Sequence, residues 1–248
     1  MPDLSLLQSL LPDVIIRTFD ETASTNRDAR DWLLSGAQHG DLVIADRQSQ
    51  GRGRLGRSFS SPEGGLYMTL ILHMPPTPGP VTTLCAVAVC RAIEKLTSFS
   101  PQIKWVNDVQ VEGKKVCGIL CEGVWQGSHP AGMIVGIGLN VCGDSLPEEL
   151  KPIARSLYPD LTTPPVAKER FAAEIYQEIM AGLPKLPAHM DAYRAACLTL
   201  GRAVYWLEGE QTHTGTALSV DDEGALHIQT DSGETKVIAF GEVSVRPV

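Results

Sequence analysis

A run of glycine and arginine, Gly51-Arg52-Gly53-Arg54-Leu55-Gly56-Arg57, lies just after an apolar segment at residues 41–46 (DLVIAD) that reads as a buried strand. It matches G-x-G-x-x-G, which marks a dinucleotide-binding turn when it lies between a strand and a helix. The next residues decide against that fold. Residues 57–65 (RSFSSPEGG) contain Pro62 and two adjacent glycines, which do not open a regular helix. No acidic residue lies about 20 residues on, where a ribose contact belongs. A Walker A loop fails as well, because the run lacks a Gly-Lys-Ser/Thr ending. A nicotinamide-dependent oxidoreductase is therefore set aside. There remains a loop whose glycines let backbone N–H groups approach a ligand and whose arginine forks suit phosphate. Taken alone, it reads equally well as a solvated basic turn.

The rest of the chain alternates short strands with helices. Strands are expected at residues 14–19, 41–46, 66–73, 102–105, 109–111, 116–124 and 133–141. Helices are expected from Ser24 or Thr25 to Ser35, and over 83–96, 148–157, 167–183 and 187–200. From Gly201 the pattern changes to short apolar runs at 203–207, 215–220, 226–230, 236–240 and 243–245. Turn signals such as DDEG and DSG separate them, the pattern of a small β-barrel. Two domains are expected, 1–200 and 201–248.

A second polar cluster lies inside an apolar stretch. Lys104-Trp105-Val106-Asn107-Asp108 places an Asn-Asp pair between two strand segments, and Lys114-Lys115 comes six residues later. An aspartate can hold Mg²⁺ through oxygen, and a lysine beside it can offset charge growing on a phosphate. The plain alternative is a hairpin with Asn-Asp at the turn and lysines in solvent.

Composition excludes several function classes. The net charge is −8, with no long basic run, so DNA is not an expected partner. No apolar run approaches the ~20 residues of a membrane helix. The start, MPDLSLLQSLLPD, lacks the basic region of a signal peptide, so a cytoplasmic location is expected. The 6 cysteines form no CxxC pair and read as reduced core residues rather than a zinc site.

Four segments in order, Ser24-Thr25-Asn26, Gln48 with GRGRLGR, KWVND and residues 113–120 (GKKVCGIL), resemble the catalytic core of biotin–protein ligases. Residues 136–140 (GIGLN) extend the likeness, which covers roughly residues 14–248. Two departures stand out: Val106 replaces the family's proline, and Phe59 stands where tryptophan is frequent. Some members carry an N-terminal helix-turn-helix; only about 14 residues precede the first expected strand, too few for such a module.

The resemblance implies an α+β fold: a mixed sheet flanked by helices, like a class II synthetase core, with a small SH3-like barrel behind it. It implies an AMP-forming ligase that makes an amide bond. Biotin and ATP would be substrates, Mg²⁺ the metal, and a biotin carboxyl carrier domain of a carboxylase the partner; a homodimer stays open. Biotin would be held by Ser24, Thr25, Asn26, Gln48, Arg52, Lys115 and Gly118. ATP would be held by Arg52, Gly53, Arg54, Arg57, Phe59, Asn107, Asp108 and Asn140. Lys115, Arg54 and Asp108 would be catalytic, with Asp108 on the metal. Rival readings are a lipoate–protein ligase and a non-enzymatic biotin-binding or repressor module.

Overall fold

The computed structural model describes residues 1–75, 77–239 and 246–247. A seven-stranded mixed sheet forms its centre, in the order β1-β2-β3-β7-β6-β5-β4. The strands are β1 (Ile16–Thr22), β2 (Leu42–Gln48), β3 (Gly65–Leu72), β4 (Gln102–Lys104), β5 (Asp108–Val111), β6 (Lys114–Gln126) and β7 (His129–Asn140). Only β1 and β2 run parallel; every other neighbouring pair in this sheet is antiparallel.

Side chains alternate across a sheet with period two, so each strand shows two faces. One face is apolar throughout. Leu42 and Ile44 of β2, Leu66, Met68, Leu70 and Leu72 of β3, and Met133, Val135, Ile137 and Leu139 of β7 all join one buried cluster. Helices α3 (Pro78–Leu96), α4 (Lys168–Gly182) and α5 (Met190–Ala196) contribute Val89, Ile93, Phe171, Ile175 and Tyr193 to it. The opposite face divides in two. Helix α2 (Thr25–Leu34) covers one half with Ala29, Trp32 and Leu33 against Val43, Ile71, Val124 and Ile134. The other half carries Thr69, Gly118, Gly136, Gly138 and Asn140, small or polar residues that leave room above the sheet.

Helix α1 (Leu4–Leu10) was not expected from the sequence. Asp3 caps it by accepting from the Leu6 N–H at 3.0 Å, worth ~1 kcal/mol, and Leu7 is fully buried. Two expected helices fall short. Residues 148–157 form turns, not a helix, because Pro152 lacks an N–H and disfavours helical geometry at Lys151. The helix expected over 187–200 is confined to α5, and the Leu198 N–H instead bonds to the Ile103 carbonyl at 2.9 Å.

The second sheet is five-stranded and antiparallel, in the order β11-β10-β9-β8-β12, from β8 (Ala203–Glu208), β9 (Gln211–Val220), β10 (Leu226–Thr230), β11 (Thr235–Ile238) and β12 (Arg246–Pro247). The strand expected at 243–245 and the end of the one at 236–240 lie outside the described residues. This sheet docks on the first. Val204, Trp206, Ala217 and Leu226 share its main core cluster. The Trp105 indole donates to the Gly224 carbonyl at 3.0 Å, and Arg194 Nε donates to the Val220 carbonyl at 2.7 Å.

At this junction His189 is buried, with Nε2 2.8 Å from Thr83 Oγ1. Burial first, then the Arg91 and Arg194 guanidiniums, push its pKa down to about 4 against the opposing pull of Asp222. Below pH ~6.5 the unfolded histidine takes a proton that the folded one refuses. Stability is therefore expected to fall as the pH drops from about 6.5 to about 4. His189→Gln should flatten that part of the profile, read as thermal midpoints across the range. Parallel profiles for the two proteins would show that His189 does not carry the effect.

Candidate active site

Above the open half of the large sheet lies a cavity of about 600 Å³. Every residue given a binding or catalytic role in the sequence analysis lines it. Ser24, Thr25, Asn26 and Gln48 come from the start of α2 and the end of β2. Arg52, Gly53, Arg54, Arg57 and Phe59 come from the loop before β3, Asn107 and Asp108 from the β4–β5 turn and the start of β5, and Lys115, Gly118 and Asn140 from β6 and β7.

One wall is polar and uncharged. Gln48 Oε1 accepts from the Thr25 N–H at 2.9 Å and lies 3.1 Å from Thr25 Oγ1. Gln48 Nε2 donates to Ser61 Oγ at 2.8 Å, and Ser61 in turn donates to the Phe59 carbonyl at 3.1 Å. The amide of Gln48 is thus held at both ends. Asn26 and Thr69 sit behind this wall, buried.

The opposite wall is charged. Lys115 Nζ pairs with Asp108 Oδ1 at 2.7 Å, both partly exposed to the cavity. Arg54 Nη1 donates to Asn107 Oδ1 at 3.2 Å, while Asn107 Nδ2 donates to the Ile119 carbonyl at 2.8 Å. Asn107 therefore braces Arg54 against β6. Burial lowers the Arg54 pKa, opposed by the charge of Asp108, yet a guanidinium stays protonated at neutral pH. Arg52 and Arg57 are exposed at the mouth.

The glycine loop folds back on itself as a narrow hairpin. Gly53 N–H bonds the Arg57 carbonyl at 2.8 Å, Phe59 N–H bonds the Gly51 carbonyl at 2.9 Å, and Leu55 takes a left-handed φ of 56° at the tip. This places the Phe59 ring over Gly118 and Gly138, which face each other across β6 and β7. A Cβ built on Gly138 would stand 2.5 Å from the ring and one on Gly118 2.8 Å, so glycine is required at both positions for the ring to lie there. Lys115 Nζ lies 5.3 Å from the ring centroid.

These features occur together in known proteins. Residues 18–140 match the Biotin/lipoate A/B protein ligase family, and residues 199–246 match the Biotin protein ligase C terminal domain. The bifunctional ligase/repressor BirA of Bacillus spizizenii is 36% identical over 233 residues, spanning 88% of this chain and 70% of that protein. The chain belongs to the biotin–protein ligase family. A biotin–[acetyl-CoA-carboxylase] ligase of Mycobacterium tuberculosis is 32% identical over 240 residues, spanning 90% of this chain and 86% of that one. The biotin protein ligase from Aquifex aeolicus, solved in complex with biotin and ATP, superposes with a TM-score of 0.82 at 32% identity over 94% of this chain and 99% of that one.

Part of this family member's cavity was not expected from its sequence. Leu146 also lines it, and so do Leu150, Pro152, Ile153 and Ala154 from the segment expected to be a helix. That segment is tied to β6 instead: the Lys115 N–H bonds the Ile153 carbonyl at 2.9 Å and the Arg155 N–H bonds the Lys115 carbonyl at 2.9 Å. Pro147 and Pro152 are the signal for an irregular segment. The family's proline position is held by Val106, fully buried, behind a cis Trp105–Val106 peptide. Among the described residues no helix is long and apolar enough to cross a membrane.

Proposed function

We propose that this chain activates biotin with ATP to biotinyl-5′-AMP and transfers biotin to one lysine of a biotin carboxyl carrier domain, acting in the cytoplasm. The observation that carries this reading is a single cavity with a neutral hydrogen-bonding wall at Thr25–Gln48 and a cationic wall at Lys115 and Arg54. A ureido ring offers two donors and one acceptor, which suits hydroxyl and amide groups. A carboxylate meeting a triphosphate needs fixed positive charge.

On this reading Ser24, Thr25, Asn26 and Gln48 form the ureido end of the site, and the Gly118 strand lines the valeryl path. Arg52, Arg54 and Lys115 converge on the biotin carboxylate and the α-phosphate. Gly53, Arg57, Asn107 and Asp108 face the remaining phosphates, and Phe59 with Asn140 forms the adenine end. In the first step a biotin carboxylate oxygen bonds to the α-phosphorus and the bond to pyrophosphate breaks. Lys115 and Arg54 hold the charge that gathers on the oxygens in flight. In the second step the acceptor amine bonds to the anhydride carbonyl and AMP leaves. Asp108 takes up the proton that the incoming ammonium must lose. Residues 1–200 form the catalytic unit; residues 201–248 buttress it through Trp105.

Asp108 also fits a Mg²⁺ site of the kind that relies on one carboxylate plus substrate phosphates. Among the described residues no cluster of three metal-ligating side chains exists, so a protein cage is not the alternative. Bound there with the triphosphate, the metal would supply charge neutralisation. Asp108→Asn is expected to raise the Mg²⁺ concentration needed for half activity by about tenfold or more while leaving biotin affinity nearly intact. Calorimetry with biotin alone, then activity against Mg²⁺, separates the two; a large loss of biotin binding would put Asp108 in the wrong half of the site. Arg54→Gly is expected to speed release of biotinyl-AMP, since Arg54 pins the glycine hairpin to Asn107. An unchanged dissociation rate would show that it does not.

The first test of the reading is biotin-dependent exchange of pyrophosphate into ATP. Exchange with biotin but not with lipoate is the expected result. Exchange driven by lipoate would turn the assignment to the other branch of the matched family.

A further inference from the structure

Behind the neutral wall, a chain of buried polar groups leads away from the cavity to Glu122. Glu122 Oε2 accepts from Asn26 Nδ2 at 2.7 Å and Oε1 from Arg30 Nη2 at 3.4 Å. Asn26 Nδ2 is also 3.5 Å from the Leu120 carbonyl. With acceptors on that side, the Asn26 amide cannot turn over, and its Oδ1 points at Thr69 Oγ1, 2.8 Å away. Thr69 Oγ1 is also 2.8 Å from Thr25 Oγ1, which is 3.1 Å from Gln48 Oε1.

Protons in this chain can be counted. Between Asn26 Oδ1 and Gln48 Oε1 lie three oxygen–oxygen gaps, and the two threonines bring one hydroxyl proton each. One gap must go without. Gln48 Oε1 already accepts the Thr25 N–H at 2.9 Å, whereas Thr69 is the donor that faces the buried Asn26 Oδ1. A buried acceptor left bare is the costlier outcome, so Thr69 gives its proton to Asn26 rather than to Thr25, Asn26 donates to the carboxylate, and the Thr25 hydroxyl donates to Gln48 Oε1. With its proton on Gln48 and none received from Thr69, Thr25 Oγ1 presents only lone pairs to the cavity, a place completed by a donor from the ligand.

We infer that Glu122 is a positioning residue that makes this wall demand an N–H from its ligand, acting through Asn26, Thr69 and Thr25. The inference rests on the biotin reading above and deepens it. It explains discrimination within a family whose substrates differ on this point: the ureido ring offers N–H groups and a dithiolane offers none. Gly136 belongs to the same device, since a Cβ there would stand 2.1 Å from Asn26 Oδ1.

The test is a double-mutant cycle on the full chain, with dissociation constants for biotin and for octanoate, an acid without N–H donors, read by calorimetry. Glu122→Ala and Thr69→Val are each expected to weaken biotin about tenfold. The double variant should weaken it by the same factor, not by the product. Glu122→Gln, which keeps an acceptor for Asn26, should recover most of the affinity, and octanoate should bind all variants alike. Multiplying effects, or an octanoate loss that parallels the biotin loss, would overturn the inference. If Glu122→Ala does not fold by circular dichroism, Thr69→Val and Glu122→Gln carry the test: an unchanged biotin affinity in Thr69→Val overturns it. A wild-type chain that binds no biotin would sink the functional reading itself.

Discussion

Lys115→Ala is expected to lower biotin-dependent pyrophosphate exchange by about 10²–10³ while leaving the fold intact, the usual loss when a preorganised charge is removed from a phosphoryl site. Lys115 is half-buried at the cavity edge, held 2.7 Å from Asp108 on a strand paired on both sides. It needs no reorganisation to meet a carboxylate and a phosphate. Its removal also leaves Asp108 without its cation, adding like-charge repulsion toward the triphosphate. Arginine should not rescue it, because a broad planar fork does not replace a compact ammonium beside the Phe59 ring. Exchange within threefold of wild type would remove Lys115 from the chemistry.

Gly136→Ala is expected to weaken biotin by more than about 100-fold, more than loss of any one hydrogen bond on the wall. The new methyl would fall 2.1 Å from Asn26 Oδ1. Neither partner can yield cheaply. β7 is paired on both edges there, to Thr69 and Leu120, and Asn26 is held by Glu122 and Thr69. Overpacking of this kind costs ~1–3 kcal/mol of stability, so a lower thermal midpoint should accompany the lost affinity. Biotin affinity within a few fold of wild type would mean that Asn26 is not tied to the ligand wall.

The sequence carries the parts of this site whose chemistry is local. Glycine with arginine in one loop, Asn107-Asp108 between strands, and Lys115 before an apolar run each show their character without a fold, and all converge on one cavity. Period-two patterning also locates the strands of the large sheet to within a few residues. The hidden parts depend on long-range pairing. Thr69 and Glu122 look like ordinary strand residues until β3, β7 and β6 bring them to Asn26, 43 and 96 positions away. The segment that holds Leu150 and Ile153 has an apolar spacing that suggests a helix despite Pro152; backbone bonds to Lys115 hold it as an irregular strap. Helix α1 is too short for periodicity to reveal and depends on Leu7 finding the core.

The most direct measurement is the intact mass of a biotin carboxyl carrier domain after incubation with this protein, biotin and ATP. A mass increase of one biotinyl group is expected, dependent on ATP and abolished when the carrier's target lysine is changed to arginine. An unmodified carrier, with a folded enzyme and a known ligase succeeding in parallel, would contradict the assignment.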